Sequence, residues 1–177
     1  MALKGGRPVN RQISVTLFVR HGDEERAIAF YQEALGAEVM LCHALPTGAL
    51  AGATLAIGDS VISVAGANPK RDADPTLGGP RSPSVLGTSA AILDLYVDDV
   101  DAAMRRAVEA GATIRNQMED ATWGDRIGMF VDPFGHIWLL ATAREQVDAV
   151  EVPERERQAV ERLARNGRRA DAQLGGE

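Results

Sequence analysis

The patterned part of the chain starts with apolar and polar residues alternating from Gln12 to Val19, which predicts a β-strand. A charged turn follows, and apolar residues then recur at helical spacing from Ala27 to Leu35. Gly36 stands where a left-handed C-terminal helix cap is needed. Three further strands are predicted at Glu38 to Ala44, Ala51 to Ile57 and Ser60 to Ala65.

The same order of elements returns in the second half of the chain. A strand from Ile92 to Val97 precedes a helix from Val100 to Ala110, and both predicted helices exit through Gly-Ala, at Gly36 and Gly111. The strands that follow are predicted at Thr113 to Glu119, Arg126 to Val131 and Ile137 to Thr142. This repetition indicates two βαβββ modules in an α+β fold.

The rest of the chain consists of segments before, between and after the two modules. We predict an N-terminal extension over 1–11, module one over 12–66, a Pro- and Gly-rich linker or lid over 67–89, and module two over 90–143. Residues 144–177 are predicted to form a C-terminal helix, from about Pro153 to Asn166, and a tail that frays from Gly167.

Composition narrows the class of protein. The 45% of hydrophobic and 25% of charged residues are typical of a globular domain. A net charge of -6 argues against nucleic acid as a partner, since such binding depends on basic side chains. The single cysteine, Cys42, excludes an internal disulfide. No signal peptide or membrane span of about 20 apolar residues is present, so we expect a cytoplasmic protein without membrane partners.

Together the repeated module and three sequence stretches resemble the vicinal oxygen chelate superfamily of glyoxalases, bleomycin-resistance proteins and ring-cleaving dioxygenases. The stretches are Ala27 to Val39, Leu95 to Ala112, and Trp123 to Thr142 with its closing Asp132-Pro133-Phe134-Gly135-His136 turn. The resemblance implies a curled mixed sheet or incomplete barrel with a concave cavity. It also implies a homodimer, because in such relatives two chains commonly complete the binding grooves.

The metal positions of that superfamily are mostly occupied here by residues that do not bind metals. The resemblance places the four ligand positions at Ser14 (or Thr16), Ser63, Ile92 (with Asp94 next on the same face) and Leu139. Asp94 alone is a plausible ligand, and one carboxylate does not make a stable site. We therefore expect no metal and no other cofactor.

Most candidate site residues follow from strand parity, and Trp123 from its aromatic side chain in the loop before Gly124. Asp94 and Tyr96 are the best acid or base candidates, since burial would favour the protonated form of a carboxyl group, although a structural Asp94 is the alternative. Predicted ligand contacts are Phe18, Thr54, Ser63, Trp123, Arg126 and Met129. Arg126 could equally pair across a hairpin. We assign His136 to the turn and Trp138 to the helix-packed side of its strand.

These features favour a metal-free protein that binds a hydrophobic or aromatic, antibiotic-like small molecule, as relatives that confer antibiotic resistance do. The alternative is an enzyme of lyase, isomerase or dioxygenase type, either metal-dependent or using Asp94 and Tyr96. A regulatory or structural interaction module is a third possibility.

Overall fold

The protein, as a computed structural model, is described over residues 3–4, 7–8 and 13–174. It has the predicted α+β architecture of two four-stranded mixed sheets, which do not close into a barrel, and a C-terminal helix. Within the described residues, no helix has the length and apolarity that crossing a bilayer requires.

Near the N-terminus, strands β1 (Leu3–Lys4) and β2 (Arg7–Pro8) form a small antiparallel pair. Module one then consists of β3 (Val15–Val19), α1 (Glu24–Leu35), β4 (Glu38–Ala44), β5 (Leu50–Ile57) and β6 (Ser60–Gly66). Its sheet has the strand order β3-β6-β5-β4, in which only β3 and β6 are parallel.

Module two repeats this topology. Its elements are β7 (Ile92–Tyr96), α4 (Val100–Glu109), β8 (Thr113–Asp120), β9 (Asp125–Val131) and β10 (Ile137–Ala143), with the sheet order β7-β10-β9-β8. The β7–β10 pair is parallel and the other pairs are antiparallel. The predicted strands and helices of both modules are therefore confirmed, with boundaries shifted by a few residues.

Between the modules, the linker contains short helical turns rather than an extended segment. These are α2 (Pro69–Ala73), a 3₁₀ turn (Pro75–Leu77) and α3 (Pro83–Leu86). The linker contacts both modules, because Arg20 donates to the Ser84 hydroxyl at 3.3 Å and Gly135 packs closely against Pro83 and Ser84. The C-terminal helix α5 (Val152–Leu174) continues beyond its predicted end at Asn166.

Helices α1 and α4 pack against each other and each covers one face of its own sheet. Gly36 has the positive φ of 66° that the predicted cap requires, which lets the chain turn from α1 directly into β4. The apolar faces of both helices meet alternate residues of the strands in one continuous core. Neither α1 nor α4 covers the opposite face of its sheet, which we call the open face.

The closing turn of module two fills the junction between the modules. Phe134 is buried there, with its ring 6.2 Å from that of Phe30 in an edge-to-face arrangement. Trp138 is buried and stacked on Phe130 at 6.3 Å, which confirms its predicted helix-packed side. His136 is buried in the same turn, where its backbone amide donates to Asp132 at 2.9 Å.

Candidate functional site

The open face of module two is the most distinctive surface of the molecule. Strand register places Tyr96 beside Ala141 and Ile127, and Asp94 beside Leu139 and Met129. Leu139 and Met129 are partly exposed, and Ile92, at the start of the same edge strand, is 50% exposed. The face therefore presents an apolar surface with one carboxylate on its edge strand.

Two aromatic side chains at one end of this face are held by a single carboxylate. The Tyr96 hydroxyl donates to Oδ2 of Asp125 at 2.7 Å, and Nε1 of Trp123 donates to the same oxygen at 2.9 Å. Asp125 is only 7% exposed, whereas Tyr96 and Trp123 are 64% and 43% exposed. The buried carboxylate thus fixes two rings that remain open to a ligand.

A cavity of about 540 Å³ lies beside these rings. Both rings line it together with Asp125 and the segment after β10, which supplies Ala143 to Val147. A second cleft, of about 620 Å³, runs along the edge strand β7 on the other side of Tyr96 and reaches the Gly58-Asp59 hairpin of module one. Tyr96 therefore stands between two cavities.

Asp94 and Tyr96, the predicted acid and base candidates, lie in surroundings that differ from those expected from the sequence. Asp94 is exposed, whereas the sequence-based prediction placed it in a cavity. The hydrogen bond to Asp125 raises the pKa of Tyr96 above its ordinary value, and burial adds to the shift. Tyr96 therefore remains a neutral hydrogen-bond donor.

Arg126 is engaged in ion pairs on the helix side of the sheet. Its Nε and Nη2 donate to the two oxygens of Asp101 at 2.9 and 3.0 Å, and its Nη1 donates to Asp120 at 3.0 Å. These hydrogen bonds raise the pKa of the guanidinium further. Of the two roles left open by the sequence, pairing across the hairpin is observed. Strand parity directs Arg126 away from Met129 and Tyr96, so its predicted ligand contact would lie on the helix side of the sheet.

The predicted contacts in module one lie together on its open face. Thr16, Ser63 and Thr54 are direct neighbours across β3, β6 and β5, and Phe18 lies two residues beyond Thr16. Thr54 is buried and its hydroxyl lies 3.2 Å from Nε2 of His43. This open face is therefore more polar than that of module two.

The donor set at the superfamily's metal positions does not fit a metal ion. Register pairs Thr16 with Ser63 and Asp94 with Leu139, which offers two hydroxyls, one carboxylate and one hydrocarbon side chain. Across the described residues, no three His, Cys, Asp or Glu side chains are grouped so that they could hold a metal ion.

The sequence did not indicate the central role of Asp125. Its neighbours Gly124 and Arg126 suggested a turn with an ion pair, and nothing in the local pattern announced that Tyr96, 29 residues earlier, would reach it. One usable signal was Trp123, an aromatic residue just before a strand that begins with a carboxylate.

Comparison with known proteins gives a consistent result. The chain matches the family model of the Glyoxalase/Bleomycin resistance protein/Dioxygenase superfamily over residues 13–140. It is similar to an uncharacterized protein of Mycobacterium bovis, with 36% identity over 132 residues that cover 73% of this chain and 83% of the relative.

Solved structures show the same fold. The X-ray structure of a gene product from Arabidopsis thaliana is 27% identical, with a TM-score of 0.58 over 75% of this chain and 99% of that one. The crystal structure of TioX from Micromonospora sp. ML1 is 24% identical, with a TM-score of 0.53 over 77% of this chain and 99% of that one.

Proposed function

The chain belongs to the glyoxalase/bleomycin resistance protein/dioxygenase superfamily, and we propose that it is a metal-free binding protein for hydrophobic or aromatic, antibiotic-like small molecules. The observation that carries this proposal is the pair of exposed rings, Tyr96 and Trp123, fixed by the buried Asp125. Rings whose orientation is fixed before binding lose little entropy when a planar ligand stacks on them.

The surroundings of the rings support binding rather than chemistry. Leu139, Met129 and Ile92 continue the apolar surface from the rings along the open face. Tyr96 is poorly suited to general acid–base catalysis, which needs a group whose pKa lies near the working pH, because its hydrogen bond to Asp125 raises its pKa further. Resistance to the bound compound by sequestration is the biological role that this proposal implies.

We further propose that the binding groove is completed by a second copy of the chain. Every residue of β4 is exposed, and β8 has no buried residue. Apolar side chains on or beside the sheets are correspondingly exposed, among them Ile13, Ile92, Leu41 and Ile114. Pairing of such surfaces in a homodimer would remove them from water.

Calorimetric titration with neutral 1-naphthalenemethanol tests the binding function. We expect saturable binding to the full chain, and weaker binding by at least about tenfold, or 1.4 kcal/mol, in the Trp123→Ala variant. Trp123→Phe is the matched control, because it keeps a ring at that position and should retain most of the affinity. Absence of binding, or equal binding by all three proteins, would overturn the proposed site.

Elemental analysis of the purified protein tests the metal-free part of the proposal. We expect no stoichiometric transition metal, and no shift of the melting temperature on adding zinc, manganese or nickel ions. A stoichiometric metal, or a shift that Asp94→Asn abolishes, would favour the metal-dependent enzyme instead.

A further inference from the structure

Asp125 is a buried carboxylate without a cationic partner. It is 7% exposed, and no Lys, Arg or His of the described chain forms an ion pair with it. The two arginines that line a cavity with it are engaged elsewhere, since Arg126 pairs with Asp101 and Asp120, and Arg144 lies 3.6 Å from Asp101.

Such an arrangement is unusual because a buried charge is normally paired. The hydrogen bonds from Tyr96 and Trp123 offset part of the desolvation cost, but both donors are neutral. Both also use Oδ2, so that Oδ1 has no side-chain donor among the described residues. Oδ1 is thus available to accept a hydrogen bond at the cavity.

The aromatic rings beside Asp125 are a second feature that favours a positively charged ligand. The faces of tyrosine and tryptophan rings attract cations through their quadrupoles, with tryptophan the strongest. Tyr96 and Trp123 are exposed and line the same cavity as Asp125. The carboxylate and the faces of the rings both favour a positively charged group.

We propose that the ligand of this protein carries a protonated amine, which Asp125 binds through Oδ1 beside the rings of Tyr96 and Trp123. The apolar body of the ligand then lies along Leu139 and Met129 on the open face. This inference rests on the binding function proposed above and names the class of its ligand: an aromatic or hydrophobic amine that is cationic at neutral pH.

Three naphthalene probes of equal size separate charge from shape. They are 1-naphthylmethylamine, which is protonated at pH 7, neutral 1-naphthalenemethanol and anionic 1-naphthoic acid. Calorimetric titration of the wild-type chain should give at least about tenfold tighter binding of the amine than of the alcohol, with the acid weakest. Added salt should weaken the amine more than the alcohol.

Two variants locate the effect. Asp125→Asn keeps an amide oxygen for the two ring donors and removes the charge, so it should abolish the preference for the amine over the alcohol. Asp98→Asn is the matched control, because Asp98 is exposed close to Tyr96 and makes no hydrogen bond with the described residues. It should leave the preference unchanged.

The outcomes distinguish this inference from the proposed function. If none of the probes binds, the binding function itself fails. If amine and alcohol bind equally to the wild type, only the cationic ligand is overturned. An equal loss of preference in Asp125→Asn and Asp98→Asn would assign it to the general negative charge of the protein. Weakened self-association of Asp125→Asn without a change in preference would mean that a second copy supplies the cation, which also overturns the proposal.

Should Asp125→Asn fail to fold, the salt dependence and the ranking of the three probes on the wild-type chain decide the question alone. A ranking in which the alcohol equals or exceeds the amine would contradict the proposal without any variant.

Discussion

The hydroxyl of Tyr31 donates to Oδ2 of Asp132 at 2.7 Å, which joins α1 of module one to the closing turn of module two. Asp132 also accepts from Nε1 of Trp138 at 3.1 Å and, through Oδ1, from the backbone amides of Phe134 and His136 at 2.9 Å each. The carboxylate is buried, so the bond from Tyr31 joins the two modules where water is excluded, while the other three bonds fix the turn within module two.

Removal of that hydroxyl in Tyr31→Phe should destabilise the protein by about 1–3 kcal/mol, because a buried charged acceptor loses one donor. Urea unfolding monitored by circular dichroism measures the difference. The matched control is Tyr96→Phe, which removes a hydroxyl that also bonds a carboxylate but belongs to an exposed side chain, and it should cost less. A cost for Tyr31→Phe no larger than that of the control would contradict the role assigned to Asp132.

Acidification should weaken the fold through His136. Burial lowers the pKa of this imidazole below its ordinary value of 6.5, against the opposing effect of the Asp132 carboxylate and of the Phe18 backbone. The unfolded chain therefore binds a proton at higher pH than the folded chain does. The stability that this residue contributes is present above about pH 6.5 and declines as the pH falls towards the lower folded-state pKa.

Urea midpoints between pH 5 and pH 8 measure this effect. The slope of stability against pH below about pH 6.5 should decrease in His136→Asn. His43→Asn, at a histidine exposed on β4, provides the comparison. An unchanged slope in the His136 variant would show that other groups carry the acid sensitivity.

Gly52 in β5 should not tolerate a side chain. Its φ is +155°, and a Cβ there would collide with the backbone oxygen of Val64 on the paired strand. We expect Gly52→Ala to cost about 3 kcal/mol, at the upper end of overpacking effects, since the obstacle is backbone. Gly48 has a φ of 85°, and a Cβ there would meet no other atom, so Gly48→Ala introduces no collision. The difference in unfolding free energy between Gly52→Ala and Gly48→Ala therefore isolates the collision.

Replacement of Ile92 by lysine tests the proposed homodimer. Ile92 is half-exposed at the start of an edge strand, so Ile92→Lys should change the stability by no more than about 0.5 kcal/mol. Light scattering coupled to gel filtration should give twice the chain mass of 18.9 kDa for the wild type and a lower mass for the variant. A monomeric wild-type protein would contradict the proposal that a second copy of the chain completes the binding groove.

The order of helices and strands was predictable because each depends on a local pattern. Alternation identified β3 and β7, helical spacing identified α1 and α4, and Gly36 ended α1 as its φ of 66° requires. Trp138 could be assigned to the helix-packed side because its neighbour Leu139 occupies the opposite parity, and burial confirms it.

The candidate site was harder to predict because it depends on contacts between distant residues. Strand parity indicated that Asp94 and Tyr96 share a face. Asp94 is exposed because no other element covers it, and this depends on the tertiary structure rather than on a local pattern. The same holds for Asp125, whose donors Tyr96 and Trp123 come from different elements. Arg126 was ambiguous until the position of Asp101 on α4 was known.

The bond from Tyr31 to Asp132 has a consequence for engineering the chain. Cleavage of the gene within the linker would yield two fragments, the first exposing the aromatic face of α1 and the second leaving Asp132 short of a donor. Neither fragment would have a complete core, while together they would restore one. The protein is therefore suited to fragment complementation, with the burial of Tyr31 and Phe134 as the driving force for reassembly.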